Sequence, residues 1–503
     1  MRILLVNPTY RASFWTLAGA APVTRAPGFM PPLALATLAA LTPPDVDVEI
    51  VDESVQALDL DADCDVVGIT GYVTQRDRMF EIAAAFRSRG VPVAIGGPYA
   101  SLSPDTLRPH ADHLFRGEAE ETWPRFVDDF RAGRAAAEYH QEGNVDITTS
   151  PTPRTELLRN DQYFMGTVQT SRGCPFECEF CDVIVYLGRR QRYKQPDQVV
   201  SEIQRFHDNG QRLVFLADDN LTAHRGRSAE TLRAVAEWNQ RQDERMAFNT
   251  QISIDVARDR DEPLLELCAE AGLTTAFVGI ETPSTDALLE VNKRQNVRGD
   301  LVAQVARLQQ HGITVQAGMI VGFDSDTTDT FRTQYEFAQE AGTVMISLGT
   351  LNAPEGTPLE ARLLAQGRIR ETGVDDVFTS TNIVPKSMTT QELQAGTRWL
   401  MNRLYDPEHY LERLAVLGRQ LPTDFVARPV GRDGAALWDR LVQSYRLLGP
   451  EFEQLPRGAA PWFREKDLTH LATALIFYLH VVSMLRGWGV WEPSLAREPE
   501  PVW

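Results

Sequence analysis

The chain has 503 residues, 43% hydrophobic and 24% charged, a composition that excludes a disordered polypeptide and points to about three packed domains. Its formal net charge of -19 argues against nucleic-acid binding, which needs a basic face, and suits a soluble cytoplasmic protein. Five cysteines are few for this length, and three fall within the eight residues from Cys174 to Cys181, which excludes a disulfide framework and favours a reducing compartment and a metal.

The start, Met1-Arg2-Ile3-Leu4-Leu5-Val6-Asn7-Pro8, reads as a buried strand entering a turn rather than a secretory leader. Short apolar runs at 3–6, 48–51, 66–70, 93–95 and 113–115 alternate with helical stretches such as 32–41 and 76–89. This predicts an α/β, doubly wound, Rossmann-like domain of five parallel strands over residues 1–145. Such sheets bind ligands beyond the carboxyl ends of their strands. Asn7-Pro8, Thr70-Gly71, Gly96-Gly97-Pro98 and Gly117-Glu118 stand at those ends. Residues 146–165 read as a linker centred on Thr148-Thr149-Ser150-Pro151-Thr152-Pro153.

A second alternating region, 166–371, has strand-like runs at 167–170, 213–216, 248–252, 276–280, 315–321 and 345–348, as expected for a partial (β/α)6 barrel. Residues 372–503 are expected to be mainly helical, with helices at 391–404, 410–417, 435–447 and 467–485. Trp399, Trp438, Trp462, Trp488 and Trp491 either fill a helical core there or line a substrate pocket. The apolar run 471–485 contains His480 and is shorter than the roughly 20 residues needed to span a bilayer. It reads as a core helix first and a membrane-surface helix second.

The chemistry centres on Ser171-Arg172-Gly173-Cys174-Pro175-Phe176-Glu177-Cys178-Glu179-Phe180-Cys181. An iron–sulfur cubane is normally held by four thiolates; three leave one iron open. A zinc site would want four ligands, and no histidine lies between His140 and His207. A purely structural role for the cysteines in a non-catalytic scaffold is the remaining reading. The spacing C-x3-C-x-aromatic-C, placed after a first barrel strand, resembles the radical S-adenosylmethionine (SAM) superfamily. The resemblance implies a 4Fe-4S cluster on Cys174, Cys178 and Cys181 whose open iron binds SAM and cleaves it to a 5'-deoxyadenosyl radical. It further implies SAM contacts from Phe180 (adenine), Asp218, Asp219 and Asn220 (methionyl amino group), Gln251, Ser253 and Glu281 (ribose hydroxyls). The aspartates and Asn220 read equally well as a helix N-cap. The glycines of Gly318-Met319-Ile320-Val321-Gly322 are expected to admit adenine, and the loop Asn352 to Leu359 to close the core.

A doubly wound domain ahead of that core resembles the cobalamin-binding class of the superfamily. The resemblance implies cobalamin at Asn7, Thr70, Gly71, Gly96, Gly97, Pro98, Gly117 and Glu118. The Asp-x-His-x-x-Gly motif that supplies a cobalt ligand in some cobalamin proteins is absent, which leaves Tyr10, Arg11, Phe14 and Trp15 as candidates for the lower face of the corrin or as ordinary loop and core residues. Asn382 to Met388, Trp399 and Leu404-Tyr405 resemble the tail of a subgroup that includes hopanoid methylases. The implied activity is methylation of an unactivated carbon of a small molecule or lipid through methylcobalamin. The alternative is a radical cyclase or rearrangement enzyme without methyl transfer, with SAM itself as one candidate substrate. An external electron donor such as flavodoxin or ferredoxin is implied, peripheral membrane contact is not favoured, and no catalytic acid or base is assignable.

Overall fold

A computed structural model describes residues 1–10, 12–14, 16–370, 380–423, 434–463 and 468–501. Among them, β1 (Arg2–Asn7), β2 (Asp47–Asp52), β3 (Val66–Thr70), β4 (Val93–Gly96), β5 (His113–Arg116) and β6 (Glu138–His140) form one parallel sheet ordered β2-β1-β3-β4-β5-β6. The alternation within β1 shows why both faces are covered. Ile3 and Leu5 enter one core with Leu35, Ala36 and Ala39 of the helix Leu33–Leu41. Leu4 and Val6 enter the opposite core with Met79, Ile82 and Phe86 of the helix Arg76–Ser88. β1 has β2 on one side and β3 on the other, so a crevice opens beyond the ends of β1 and β3. The sequence predicts five strands here. β6 is the addition, a three-residue edge strand in which only Tyr139 is buried, too short to register as an apolar run.

The second parallel sheet runs β7 (Gly166–Val168), β10 (Leu213–Leu216), β11 (Ala247–Ile252), β12 (Leu273–Glu281), β13 (Thr314–Val321) and β14 (Met345–Thr350) in sequence order, the six strands expected of a partial barrel. A small antiparallel hairpin, β8 (Ser171–Arg172) with β9 (Arg192–Tyr193), lies between β7 and β10 in sequence. β7 stops two residues before the expected Thr170. There the backbone N–H groups of Thr170 and Ser171 leave the ladder and donate to the Asp218 carboxylate. Residues 146–165 are packed rather than free coil: Tyr163 is buried and its hydroxyl donates to Asp52.

The tail forms helices Thr390–Leu404, Pro407–Gln420, Gly434–Leu448, Pro450–Ala459 and Leu468–Gly487, close to the predicted spans. Its core is continuous with the barrel's. Four buried phenols, Tyr405, Tyr410, Tyr445 and Tyr478, each donate to a backbone carbonyl, which lets polar tips enter an apolar interior. Trp399 is fully buried, and Trp438, Trp488 and Trp491 pack against this core. Trp462 is instead 42% exposed.

The helix Leu468–Gly487 is long and apolar enough to cross a membrane by composition, but 78% of its apolar window is buried in protein, as expected of a core helix. His480 explains its polar interruption. The imidazole accepts from Gly19 N at Nδ1 (3.1 Å) and meets Ser13 O at Nε2 (2.7 Å), which sets a neutral Nε2–H tautomer. Beside it Phe14 stacks on Phe477, and Arg440 donates to Val23 O. The tail therefore holds the segment that leaves β1.

Burial lowers the His480 pKa from 6.5 to about 4. The unfolded chain takes up this proton first on acidification, so the contribution is fully present above pH 6.5 and lost as pH falls toward 4. In urea unfolding, the advantage of the wild type over His480→Gln should shrink by up to about 3 kcal/mol across that window.

Candidate functional site

The three cysteines occupy the loop between β8 and the short helix Val183–Tyr186. Cys178 is buried, and Cys174 and Cys181 are half-buried. Such a loop has few backbone partners of its own, and its surroundings supply them. Asp218, buried at the end of β10, accepts from Thr170 N, the Thr170 hydroxyl (2.8 Å) and Ser171 N. Asp219 accepts from Gly173 N at 2.7 Å. Gly173 has φ 87°, and a Cβ there would lie 2.9 Å from Arg190 O, so this turn requires glycine. Glu179 N donates to Val291 O, and Glu179 O accepts from Leu359 N, both at 3.0 Å. The loop from Asn352 to Leu359 thus closes on the cysteines, and Asn382 clasps it by accepting from Ala353 N.

Burial raises the thiols: Cys181 reaches about 12, helped by the negative charge of Asp182, and Cys174 also rises. Burial likewise lifts Asp218 to about 6. Buried thiols in this state need a strong cation to ionise them. Among the described residues no three His, Cys, Asp or Glu side chains are gathered to hold a single metal ion. Cys268 is buried in the barrel core and Cys64 packs in the front sheet, so neither supplies a fourth thiol. Three thiols on one loop are the donor set of a cluster with one open corner.

A wall of the site comes from the end of β12. Glu281 has φ 62° and pairs with Lys293 Nζ at 2.5 Å. Gly279 makes room for them, since a Cβ there would lie 2.3 Å from Glu281 Oε1 and 2.6 Å from Lys293 Nζ. Burial alone would lower the Lys293 pKa, but Glu281 and the Cys178 thiol hold it above its ordinary value. The ammonium lies 5.8 Å from the Phe180 ring centroid, and Gln295 Nε2 lies 3.5 Å from Cys178 Sγ. Asn220 and Ser253 bond each other twice, through Nδ2 to Oγ (2.6 Å) and Ser253 N to Oδ1 (3.2 Å). Gln251 lies half-buried at the end of β11. The helix N-cap reading of Asp218-Asp219-Asn220 does not hold. The next helix begins at Arg225 and is capped by His224, because the carboxylates turn back to the cysteine loop. The missing Cβ atoms of Gly318 and Gly322, on β13 and at its exit, face the Phe277 ring and Leu393.

Across from the loop stands the front sheet. Tyr72, just after β3, is 56% exposed, yet burial raises its phenol and the charges of Asp182 and Asp219 raise it further. Its phenol therefore lies near the cysteine loop, and on the same edge of the sheet the Ser103 hydroxyl donates to Glu355 of the loop that closes on the cysteines. Asn7 at the end of β1 donates to Asp52 and accepts from Gln75. Gly97 (φ 94°) brings its loop against Thr70 and Gly71. Gly96 backs onto Phe115, Pro98 opens the helix Pro98–Leu102, and Gly117 N donates to Ser101. Glu118 is turned toward the barrel: its oxygens accept from Arg172 (2.8 Å), Arg192 (2.7 Å) and Val145 N (3.1 Å). Glu120 joins Arg172 at 2.6 Å.

Family models match in the same order as these structures: a B12 binding domain over residues 19–127, the radical SAM superfamily over 168–338 and a domain of unknown function (DUF4070) over 357–432. The hopanoid C-2 methylase of Rhodopseudomonas palustris is 33% identical over 82% of this chain and 78% of its own. An uncharacterized methyltransferase of Synechocystis sp. is 33% identical with the same coverage. This chain belongs to the cobalamin-binding radical SAM enzymes. The solved structure of the cobalamin-dependent SAM radical enzyme OxsB shares the fold, with a TM-score of 0.64 at 16% identity over 97% of this chain and 80% of that one.

For a cobalamin-binding radical SAM enzyme the crevice of the front sheet and the cluster loop should be neighbours, and in this chain they are. Phe14 is not free to face cobalt, because it is 2% exposed and packed on Phe477 of the tail. Tyr10 remains near the crevice, its phenol raised to about 12 by burial, with Asp52 and Tyr72 nearby. Arg11 and Trp15 lie outside the described residues. The sequence pattern assigns no role to Lys293, Gln295, Arg172, Arg192 or Tyr72. Arg172 lies inside the cysteine motif itself, and the others had no spacing rule to flag them.

The Glu118 node ties the cluster loop to the front sheet. Glu118→Ala leaves two nearly buried guanidinium groups short of a partner and should cost about 3–5 kcal/mol, read as a lower urea midpoint of the full chain.

Proposed function

We propose that this enzyme methylates an unactivated carbon of a small molecule or lipid in the reducing cytoplasm, taking electrons from an external donor of the flavodoxin or ferredoxin kind. The chain is a cobalamin-dependent radical SAM methyltransferase. The observation that carries the reading is that the three-cysteine loop and the strand ends of a B12-binding sheet are neighbours, joined through Ser103–Glu355 and through Glu118 with Arg172 and Arg192. When bound, the cluster and cobalamin supply the radical cleavage of SAM and the carriage of a methyl group.

The chain's own residues bind and orient. Cys174, Cys178 and Cys181 would hold the cluster. Phe180, Asp219, Gln251, Ser253 and Glu281 are the groups proposed to contact SAM, with Asp218 and Asn220 acting behind them by fixing the loop and β11. A Glu281 carboxylate can accept from both ribose hydroxyls once Lys293 shares it. Thr70, Gly71, Gly96, Gly97, Pro98 and Gly117 line the crevice proposed for cobalamin, joined by Asn7, while Glu118 positions the barrel against it. Units at 1–145, 166–371 and 372–503 then correspond to corrin, radical and substrate-covering roles. Methyl transfer is favoured over radical cyclisation because both relatives at 33% identity bear methyl-transfer names.

Anaerobic reconstitution with iron, sulfide, cobalamin and SAM tests this. Mass spectrometry should find 5'-deoxyadenosine and S-adenosylhomocysteine together, and Cys178→Ala should lose bound iron and both products. 5'-Deoxyadenosine without S-adenosylhomocysteine would instead support the cyclase, and a protein that binds no cobalamin would end the proposal.

A further inference from the structure

The segment from Val291 to Asn296 follows the end of β12 and touches the cysteine loop repeatedly. Val291 O accepts from Glu179 N, Lys293 lies over Phe180, and Gln295 reaches Cys178. We propose that Gln295 is a positioning residue for the iron–sulfur cluster: its amide donates an N–H···S hydrogen bond to the Cys178 thiolate and raises the reduction potential of the bound cluster. The inference rests on the family reading of the three cysteines and deepens it, by naming a side chain that tunes the cluster rather than holding it.

The geometry is built rather than incidental. Nε2 and Sγ are 3.5 Å apart, and both residues are buried, at 8% and 7% exposure. A thiolate only accepts, so of the two ends of the amide only the NH2 group can face it. The backbone around Gln295 is fastened from three sides. Its carbonyl accepts from Arg258 (2.7 Å), while the Asn296 side chain donates to Gly279 O (2.8 Å) and Ile280 O (3.1 Å). These bonds fix the backbone from which the glutamine reaches Cys178, and burial restricts the rotamers open to its side chain.

Reduction adds one electron from the external donor, and so one negative charge, to the cluster and its thiolates. A fixed N–H dipole aimed at a ligand sulfur stabilises that more negative state, and low local dielectric strengthens the effect. Lys293 adds little net field of its own, because Glu281 neutralises it at 2.5 Å. Among the described residues no carboxylate pairs with the Gln295 amide in that way.

Redox titration of the full chain tests the proposal, using protein reconstituted anaerobically with iron and sulfide, dithionite as titrant, and the reduced cluster read by electron paramagnetic resonance without substrate. Gln295→Met keeps the length of the side chain and removes the donor; Gln295→Glu replaces the donor with a negative acceptor. Both should keep the wild-type iron content and thermal midpoint. At a fixed potential the reduced-to-oxidised ratio should fall about tenfold in Gln295→Met, equivalent to about 59 mV for a one-electron couple, and further in Gln295→Glu. Variants that titrate within about twofold of wild type would overturn the tuning role. So would folded variants that both fail to retain iron, since Gln295 would then support the loop and not its potential; if one alone fails, the other decides. A wild-type chain that takes up no cluster would overturn the family reading, and this inference with it.

Discussion

A loop that carries three cysteines within eight residues cannot satisfy its own backbone through a strand or a helix, and a buried N–H without a partner is expensive. The solution in this protein is buried carboxylate. Asp218 takes the N–H groups of Thr170 and Ser171, and Asp219 takes that of Gly173. The cost is visible in Asp218, whose pKa burial lifts to about 6 despite its donors. The same demand explains why β7 ends early and why the hairpin β8–β9 exists beside it.

That hairpin then sets the front domain. Arg172 of β8 and Arg192 of β9 both reach Glu118, just past the end of β5. Their charges are nearly buried, so the pairing is strongly directional: misplacement would leave unpaired ions inside the protein. The distance between the cluster loop and the crevice of the front sheet is thereby fixed by the residues that present the cysteines. The tail supports this from the opposite side by gripping the segment after β1 through His480, Phe477 and Arg440.

Much of this was legible without a structure. The six barrel strands and the tail helices follow from apolar periodicity, a local property. The cysteine spacing is local too, as are the glycines that stand where strands end. Gly97 and Gly117 do have positive φ, but Gly97 admits Thr70 and Gly71 as its close neighbours, and Gly318 and Gly322 admit Phe277 and Leu393. A glycine records that something approaches; it does not say whether that is ligand or protein. Phe14 shows the same limit. Its place in the loop after β1 suggested a residue facing a cofactor, whereas a helix more than 450 positions later in the chain claims it.

The sequence by itself determined the chemistry, because a three-thiolate loop has its meaning in covalent spacing over eleven residues. It also determined the order of sheet, barrel and helical tail, because each element's periodicity is contained within that element. Only the tertiary structure decided which polar groups complete the site. Lys293 and Gln295 gain their roles from the turn of β12 back onto the cysteines, and Glu118 gains its role from two arginines more than 50 residues away. Those roles depend on burial and on contacts between distant segments, and neither is set by the local pattern of residues.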